Sequence, residues 1–303
     1  MFDIDCFDIL VCPRCLGVLV RFKKTILCKK CDIHYPISDT GNWDLRLIGT
    51  KDVNVKISLG VSHFKQPPFF DKFTPHPTPE VQYIPSELPI HLTPAMASYI
   101  PKAQSTQSLC LDLGCGSGEY RVPIEQAGYK WVGFDYNHPC APIWADGHAI
   151  PFRDNTFDFI MSLAVLEHIQ YPPVMLREVQ RVLKPEGVFL GSVTYLVPFH
   201  DSASYYNMTH YGTWSALEDA GLRTEFISAE PNYLGIRAIA YMGLFPGLKR
   251  NITYALVEPI VWFYKLYWAF QRKLGNLKFN KEWQAMLNTG AYIFRAVKPT
   301  DVG

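Results

Sequence analysis

The length, composition and charge of the chain already exclude several classes of protein. It has 303 residues, of which 48% are apolar and only 19% are charged, so it is too hydrophobic to be disordered throughout. The 29 Lys and Arg balance 28 Asp and Glu, so no overall basic field draws the protein to nucleic acid. The first residues, MFDIDCFDIL, carry acids where a secretory signal has basic residues, which predicts a cytoplasmic protein.

Four of the eight cysteines form two closely spaced pairs in residues 1–48. Cys12 and Cys15 are followed by a spacer of twelve residues and then by Cys28 and Cys31. Each CxxC turn directs two thiolates at one point, and four thiolates are a common tetrahedral ligand set for Zn²⁺. The metal would replace a core that so short a segment cannot supply. The spacing predicts a small β-rich zinc ribbon; the minor alternatives are His34 in place of Cys31 and a redox-active thiol pair.

The same segment is strongly basic. Between the first and the last of these cysteines lie no acids and six basic residues: Arg14, Arg21, Lys23, Lys24, Lys29 and Lys30. They fit neutralisation of a negatively charged tetrathiolate site, and a nucleic-acid patch is the second interpretation. The stretches LVCPRC, ILCKKC and YPISD resemble the short bacterial zinc-ribbon family related to the activator subunit of several eukaryotic methyltransferases. Thr40 interrupts that family's pattern just before its last strand.

Residues 49–106 have a different character, with nine prolines between Pro67 and Pro101. Proline at this density excludes a long helix or a central strand. The apolar cluster PPFFDKF and the other aromatic residues favour a connecting segment that wraps on the surface. A short helix is predicted near residues 94–100, with Thr93 as its N-cap and Pro94 at its first position.

From Ser108 onwards the chain alternates between strands, turns and helices. The run LCLDLGCGSGEY predicts a buried strand followed by a turn with three glycines, where backbone amides and a helix N-terminus can approach a polar ligand closely. A second strand, WVGFD, ends in Asp135, twenty-one residues after Gly114, where an acid can accept two ribose hydroxyls. A third strand ends near Asp146, and a fourth spans residues 157–162. The run VMLREVQRVLKPEGVFLGSVTYL then predicts an amphipathic helix and a fifth strand.

These segments together resemble the class I S-adenosylmethionine-dependent methyltransferases, in particular the methyltransferase type 11 group. The shared motifs are LDLGCGSG, the acid after the second strand, AD…PF…FD, and LEH after the fourth strand. The resemblance implies a doubly wound, mostly parallel α/β sheet of seven Rossmann-like strands, with S-adenosylmethionine as cofactor. By position it assigns the methionine part to Asp112, Gly114 and Gly116, the ribose to Asp135, the adenine edge to Asp146, Gly147 and His148, and the sulfonium to Leu163.

One connection departs from this pattern. Only YNHPCAPI lies between Asp135 and Trp144, which is too short for a helical crossover. A loop is predicted there instead. One face of the sheet then needs another cover, for which the proline-rich segment is the candidate.

The segment after the fifth strand holds groups suited to acceptor chemistry. It contains His200, Tyr206 and His210, and a helix is predicted at about residues 211–220. We expect this segment at the carboxyl end of the sheet, where ligands bind. The motif PFHDS…YYNMTHYG resembles a subgroup often associated with glycan, lipid and natural-product modification. Either His200 or His210 is the general base, or the segment is a hydrogen-bonded lid. Glu167 and His168 resemble a pair that binds a metal in some quinone-modifying relatives, although a structural role is favoured.

The last third of the chain contains a long interruption. A strand at residues 223–229 is predicted to pair with a final antiparallel strand, GAYIFRAVK, after an insertion at about residues 231–288. In this insertion Glu258, Lys265 and Arg272 recur every seven residues and fall on one helical stripe. Lys265 argues against a membrane-spanning helix. The helix is either buried against the sheet or a twin subunit, or it lies on a bilayer with its aromatic residues near the headgroups: Trp262, Tyr264, Tyr267 and Trp268.

The sequence therefore predicts three parts: a zinc ribbon (1–48), a connecting segment (49–106) and a methyltransferase domain (107–303). The favoured function is O-methylation of a glycan, lipid-linked or hydrophobic small-molecule acceptor, with Zn²⁺ and S-adenosylmethionine bound. Peripheral membrane contact and a homodimer are compatible with it. The alternatives are an RNA base methyltransferase that uses the ribbon for RNA recognition, which the net charge disfavours, and a non-catalytic scaffold.

Overall fold

A computed structural model describes residues 6–55, 76–89, 91–201, 203–230, 233–275 and 281–300. The strands of its central sheet are β4 (Trp43–Asp44), β5 (Leu109–Leu113), β6 (Lys130–Asp135), β7 (Ile143–Trp144), β8 (Phe157–Ser162), β9 (Leu183–Thr194), β10 (Arg223–Ala229) and β11 (Ala291–Val297). They neighbour one another in the order β10-β11-β9-β8-β5-β6-β7-β4. A small antiparallel sheet precedes them, made of β1 (Leu19–Phe22), β2 (Thr25–Cys28) and β3 (Ile33–Pro36).

The strand directions are those of a doubly wound α/β sheet. Every neighbouring pair from β4 to β9 is parallel, and β11 runs antiparallel to both β9 and β10. This confirms the predicted fold class, and the seven predicted strands are β5 to β11. The eighth strand, β4, lies where the ribbon resemblance implies a last strand, but its place in the large sheet was not predicted. It has two residues, too few to show a periodic pattern in the sequence.

Strand β4 attaches the cysteine-rich segment to the edge of the large sheet. It pairs with β7 in parallel, and an antiparallel bridge joins Leu10 to Phe152. The side-chain amide of Asn42 donates a 2.6 Å hydrogen bond to the carbonyl of Ala141. The buried side chains of the small sheet belong to the same hydrophobic core as those of β5, β6 and β7. The ribbon segment therefore covers an edge that would otherwise offer unpaired backbone groups.

Seven α-helices surround the sheet within the described residues. They are α1 (Pro94–Ala97), α2 (Arg121–Gln126), α3 (Pro172–Val182), α4 (His210–Asp219), α5 (Gly235–Ile239), α6 (Arg250–Lys273) and α7 (Lys281–Asn288). Helix α3 packs on the face that also receives the ribbon, whereas α1 and α2 contribute to the core of the other face. The layers follow from this arrangement: two cores separated by one sheet.

The connection between β6 and β7 contains no helix, as predicted. Residues 92–100 help to cover the sheet, because Met96 and Tyr99 are buried in the same core as Ile124 of α2. The predicted N-cap is also present: the Thr93 hydroxyl accepts a hydrogen bond from the amide of Met96. The cluster PPFFDKF lies outside the described residues.

The insertion before β11 consists of α5, a π-helix (Ala240–Leu244), α6 and α7. Helix α6 has 24 residues, yet only Thr253, Val257 and Val261 are buried. The expectation that this helix is buried against the sheet is therefore wrong for the single chain. It touches the rest of the molecule along one narrow stripe. None of the described helices is long and apolar enough to cross a membrane.

Candidate active site

A cavity of about 590 Å³, here called the cofactor cavity, lies at the carboxyl ends of β5, β6 and β7. Its walls include five residues that the sequence assigned to the cofactor: Gly114, Asp135, Asp146, Gly147 and His148. The carboxyl ends of parallel strands meet at the same edge of a sheet, so three separate sequence motifs converge here.

The turn after β5 requires glycine. Gly114 has φ +75°, and a Cβ at this position would lie 2.4 Å from Cγ2 of Val165. A side chain there would be strained and would also clash. Gly116 has φ +50°, and its amide donates a 3.1 Å hydrogen bond to Asp135. This bond ties the glycine turn to the end of β6.

Two acids near the glycine turn, Asp135 and Asp112, have different surroundings. Asp135 accepts hydrogen bonds from the amides of Gly116, Asn137 and His138 while it lines the cavity. Asp112 is buried beneath the turn, where burial raises its pKa to about 7 although the indole of Trp131 donates a 3.0 Å hydrogen bond to it. Asp112 is not among the residues that line the cavity, and its hydrogen bond joins β5 to Trp131 of β6.

The wall after β7 is held by a histidine with a defined tautomer. Nδ1 of His148 lies 2.6 Å from Oδ1 of Asp146, and Nε2 accepts a 3.1 Å hydrogen bond from the amide of Tyr171. Since an amide can only donate, Nε2 carries no proton and Nδ1 donates to the carboxylate. Burial alone would raise the pKa of Asp146, but the hydrogen bonds from His148 hold it below its usual value.

A second cavity of about 570 Å³, here called the acceptor cavity, adjoins the first. The two share Ala164, His168 and Asp201 as common wall residues. Leu163, which the sequence placed near the sulfonium, lines the acceptor cavity next to this shared wall. Much of the remaining lining is apolar or aromatic: Met96, Val193, Tyr233, Ala238, Tyr241, Met242, Tyr254 and Ile293.

Glu167 also lines the acceptor cavity, although the sequence analysis favoured a structural role for it. Its side chain is fully buried, and neither carboxylate oxygen has a hydrogen-bond partner among the described residues. Burial raises its pKa to about 7. An unpartnered buried acid at a cavity wall is a candidate for proton transfer. In the sequence, the signal that could have pointed to Glu167 was its position in the LEH motif after the fourth strand.

Two histidines face Glu167 across this wall. Nε2 of His200 lies 4.0 Å from Oε1 of Glu167, while Nδ1 of His200 donates to the carbonyl of Pro198 at 3.1 Å. Nδ1 of His168 likewise donates to the carbonyl of Ala203. With Nδ1 as the donor, Nε2 of each ring can act as an acceptor or as a metal ligand; Nε2 of His168 lies 3.8 Å from Asp201. Ligand atoms of the three side chains lie within 4.8 Å of one another, a spacing that also suits a divalent cation.

Two of the predicted catalytic residues lie outside both cavity walls. His210 begins α4 and packs against Tyr211, Trp283 and Tyr292, and burial lowers its pKa. The hydroxyl of Tyr206 donates a 3.0 Å hydrogen bond to the carbonyl of Gln170. Of the three predicted catalytic residues, the structure brings only His200 to the acceptor cavity.

The four paired cysteines meet at one point, as a metal site requires. Their sulfur atoms lie within 4.8 Å of one another, and three pairs are separated by 3.5 to 3.6 Å. Four sulfurs placed about 2.3 Å from a central Zn²⁺ would be separated by about 3.8 Å, so the donor set and its spacing fit this ion. The Tyr35 hydroxyl lies 3.2 Å from the sulfur of Cys12 and can support the thiolate. His34 is not part of this group; its ring lies beside Thr25.

The doubly wound sheet, the glycine turn and the acids after β6 and β7 define a nucleotide-type cofactor domain. Residues 111–191 match the family model described as "Methyltransferase domain". The match confirms the resemblance to the class I S-adenosylmethionine-dependent methyltransferases.

Curated relatives match within the same region. The chain is 32% identical over 128 residues to "Sterol 4-C-methyltransferase strm-1" of Caenorhabditis elegans, covering 37% of each chain. It is 32% identical over 117 residues to "Uncharacterized methyltransferase ML2584" of Mycobacterium leprae, covering 34% of this chain and 43% of the relative. The chain thus spans less than half the length of these relatives.

One similar solved structure is the complex between the Haloferax volcanii Trm112 methyltransferase activator and a putative methyltransferase. The identity is 20%, the TM-score is 0.43, and the match covers 68% of this chain and 88% of that one.

Proposed function

We propose that this protein is an S-adenosylmethionine-dependent methyltransferase that methylates a hydroxyl group on a hydrophobic, lipid-linked or glycan acceptor. The observation that carries the proposal is the pair of adjoining cavities. One is walled by five of the residues assigned to the cofactor, and the other combines many apolar and aromatic side chains with ionisable ones that include Glu167, His168 and His200. Because the two cavities share three wall residues, a donor in one and an acceptor in the other would lie next to each other.

When bound, S-adenosylmethionine supplies an activated methyl group, and the protein's part is to position the acceptor and move its proton. In this proposal Nε2 of His200 accepts the proton of the acceptor hydroxyl. Glu167, 4.0 Å away, then stabilises the imidazolium that forms. Leu163 and Met96 exclude water from the junction of the cavities.

The lining of the acceptor cavity supports an acceptor with apolar surface. Its aliphatic and aromatic side chains favour burial of such a molecule, and the tyrosine hydroxyls can orient polar groups. The basic residues of the ribbon are exposed, and none of them is among the residues that line the acceptor cavity.

The proposal is tested by incubating the protein with labelled S-adenosylmethionine and separated lipid, glycan and RNA fractions. We expect label in the lipid or glycan fraction. Label in RNA alone would establish the alternative of a base methyltransferase. Cofactor binding without transfer to any fraction would favour a non-catalytic scaffold.

We also propose that the protein binds Zn²⁺ through Cys12, Cys15, Cys28 and Cys31. The ion stabilises the ribbon, and the ribbon in turn supports β7 through β4 and Asn42. Thiolate ligands must stay reduced, which suits the cytoplasm as the compartment in which the protein acts. Metal analysis of purified protein, with about one zinc per chain as the expected result, tests this part.

A further inference from the structure

The largest exposed apolar surface of the described molecule follows helix α6 and the turn before it. Thirteen of the 28 exposed large hydrophobic residues lie between Ile239 and Leu274. On α6 itself they include Ile252, Leu256, Ile260, Trp262, Phe263, Leu266, Tyr267 and Phe270, with Trp262 at 64% and Phe263 at 68% exposure. We call these residues the α6 face. Water-exposed patches of this kind mark interaction sites.

Three charged residues of α6 lie along one border of this face. At about 100° per residue, Glu258, Lys265 and Arg272 form one stripe beside the buried side of the helix. Glu258 pairs with Arg237 of α5 at 2.5 Å, and Arg272 donates to Gln284 of α7 at 2.8 Å. Glu258 and Arg272 thus hold the helix on its own chain, while its broad outer side is apolar.

Basic groups lie at the borders of the α6 face. Lys249, Arg250, Lys265 and Lys273 are all exposed, whereas the one acid of the helix, Glu258, is paired. A twofold dimer through this face would bring the same positive surplus against itself. An anionic lipid surface attracts these positive charges instead, and aromatic side chains are favoured at the level of the lipid headgroups.

We infer that the α6 face is a docking surface for an anionic lipid bilayer, on which the helix lies flat. A helix of 24 residues presents about 36 Å of apolar length in this orientation. The neighbouring turn adds Leu244, Phe245 and Leu248 to the same surface.

The α6 face lies on the same helix as two residues that line the acceptor cavity. Arg250 and Tyr254 of the first turns of α6 line that cavity, and Ile252 and Leu256 between and after them belong to the α6 face. Helix α6 would therefore lie between the bilayer and the cavity, which would be about one helix diameter, roughly 10 Å, apart. Read in this way, the inference rests on the proposed function and narrows its acceptor to one that resides in the membrane.

The test measures flotation of the full-length protein with two kinds of vesicle: phosphatidylcholine alone, and an equimolar mixture with phosphatidylglycerol. We expect binding to both and stronger binding to the anionic vesicles. The variant Trp262→Ser/Phe263→Ser should lower partitioning to both by about tenfold or more, because two large side chains lose their burial in lipid. Lys265→Gln/Lys273→Gln should lower binding to the anionic vesicles alone, by about fivefold for each charge.

The matched control is Ile84→Ser/Val122→Ser, which removes two apolar side chains of 58% and 59% exposure outside the insertion. It should float like the wild type. Cofactor titration of each variant checks that the protein is folded.

The inference fails if the wild type stays unbound with both vesicles, or if Trp262→Ser/Phe263→Ser floats unchanged. It also fails if the wild type does not float but forms a dimer that Trp262→Ser/Phe263→Ser separates. The α6 face would then join two copies of the chain. No methyl transfer is measured, so these results are independent of whether the proposed function holds.

Discussion

The two cavities are built in opposite ways. In the cofactor cavity, Asp135 accepts three backbone hydrogen bonds and Asp146 is held by His148. In the acceptor cavity, Glu167 is buried without a hydrogen-bond partner among the described residues. The first site is therefore pre-organised by its own chain, whereas the second keeps an ionisable group for whatever enters it.

The largest effect is expected from disrupting the cysteine site, because the ribbon contacts β7 at the cofactor cavity through β4. Cys28→Ser should abolish zinc binding and unfold the ribbon, since a structural zinc contributes about 10 to 16 kcal/mol to the folding of such segments. Because β4 and Asn42 brace β7 and the loop before it, S-adenosylmethionine affinity should fall as well.

Elemental analysis and calorimetric titration check both results. Cys140→Ser, which changes an exposed cysteine outside the cluster, should keep the metal and the affinity. A zinc-free protein with an intact ribbon and full cofactor affinity would contradict the prediction.

The next effect tests the unpartnered acid of the acceptor side. The pKa of Glu167 is raised by burial from 4.5 to about 7, so the folded state binds more protons than the unfolded state between these values. Its contribution to stability is present below about pH 4.5 and is lost as the pH rises through 7, by at most about 3 kcal/mol.

Urea unfolding of the wild type and Glu167→Gln at pH 5 and pH 8 measures this contribution. We expect the wild type to lose more stability than the variant over this range. Asp112 titrates in a similar window but is present in both proteins, so it cancels in the comparison. Equal losses would mean that Glu167 is neutralised by a partner.

A smaller effect separates the two candidate histidines. His200→Ala should lower turnover on the true acceptor by about two orders of magnitude, because it removes the proposed general base. His210→Ala should leave turnover within a few-fold of the wild type at equal folding, since His210 lines neither cavity. Cofactor affinity should be unchanged in the first variant. The opposite ranking of the two variants would place the acceptor elsewhere.

The smallest effect is expected from a single cofactor contact. Asp135→Ala should weaken S-adenosylmethionine binding by about tenfold or more, because a charged hydrogen bond contributes about 1.5 to 3 kcal/mol and the tie to Gly116 is lost too. Asp154→Ala, at an exposed acid paired with Arg181 outside both cavities, is the control in the same calorimetric titration. Equal affinities in both variants would show that Asp135 does not contact the ribose.

Much of the cofactor side was predictable because its signals are local. The strand that ends in LDLGCG, the acid at the end of β6 and the strand at residues 157–162 each show in a short window of sequence, and the structure has them in place. The same holds for the four cysteines, whose chemistry and spacing alone indicate one point of convergence. Parallel strands then bring the separate motifs to one edge without further information.

The acceptor side was decided only by tertiary structure. Its cavity combines side chains from residues 91–96, 163–168, 192–201, 230–254 and 291–293, which no local pattern connects. The sequence could not separate His200 from His210, because both follow the fifth strand and only the packing of α4 turns His210 away. Nor could it show that β4 completes the sheet or that the apolar side of α6 faces outward. Local chemistry determined what this protein can bind, and long-range packing decided which groups remain unpartnered and which apolar face remains exposed.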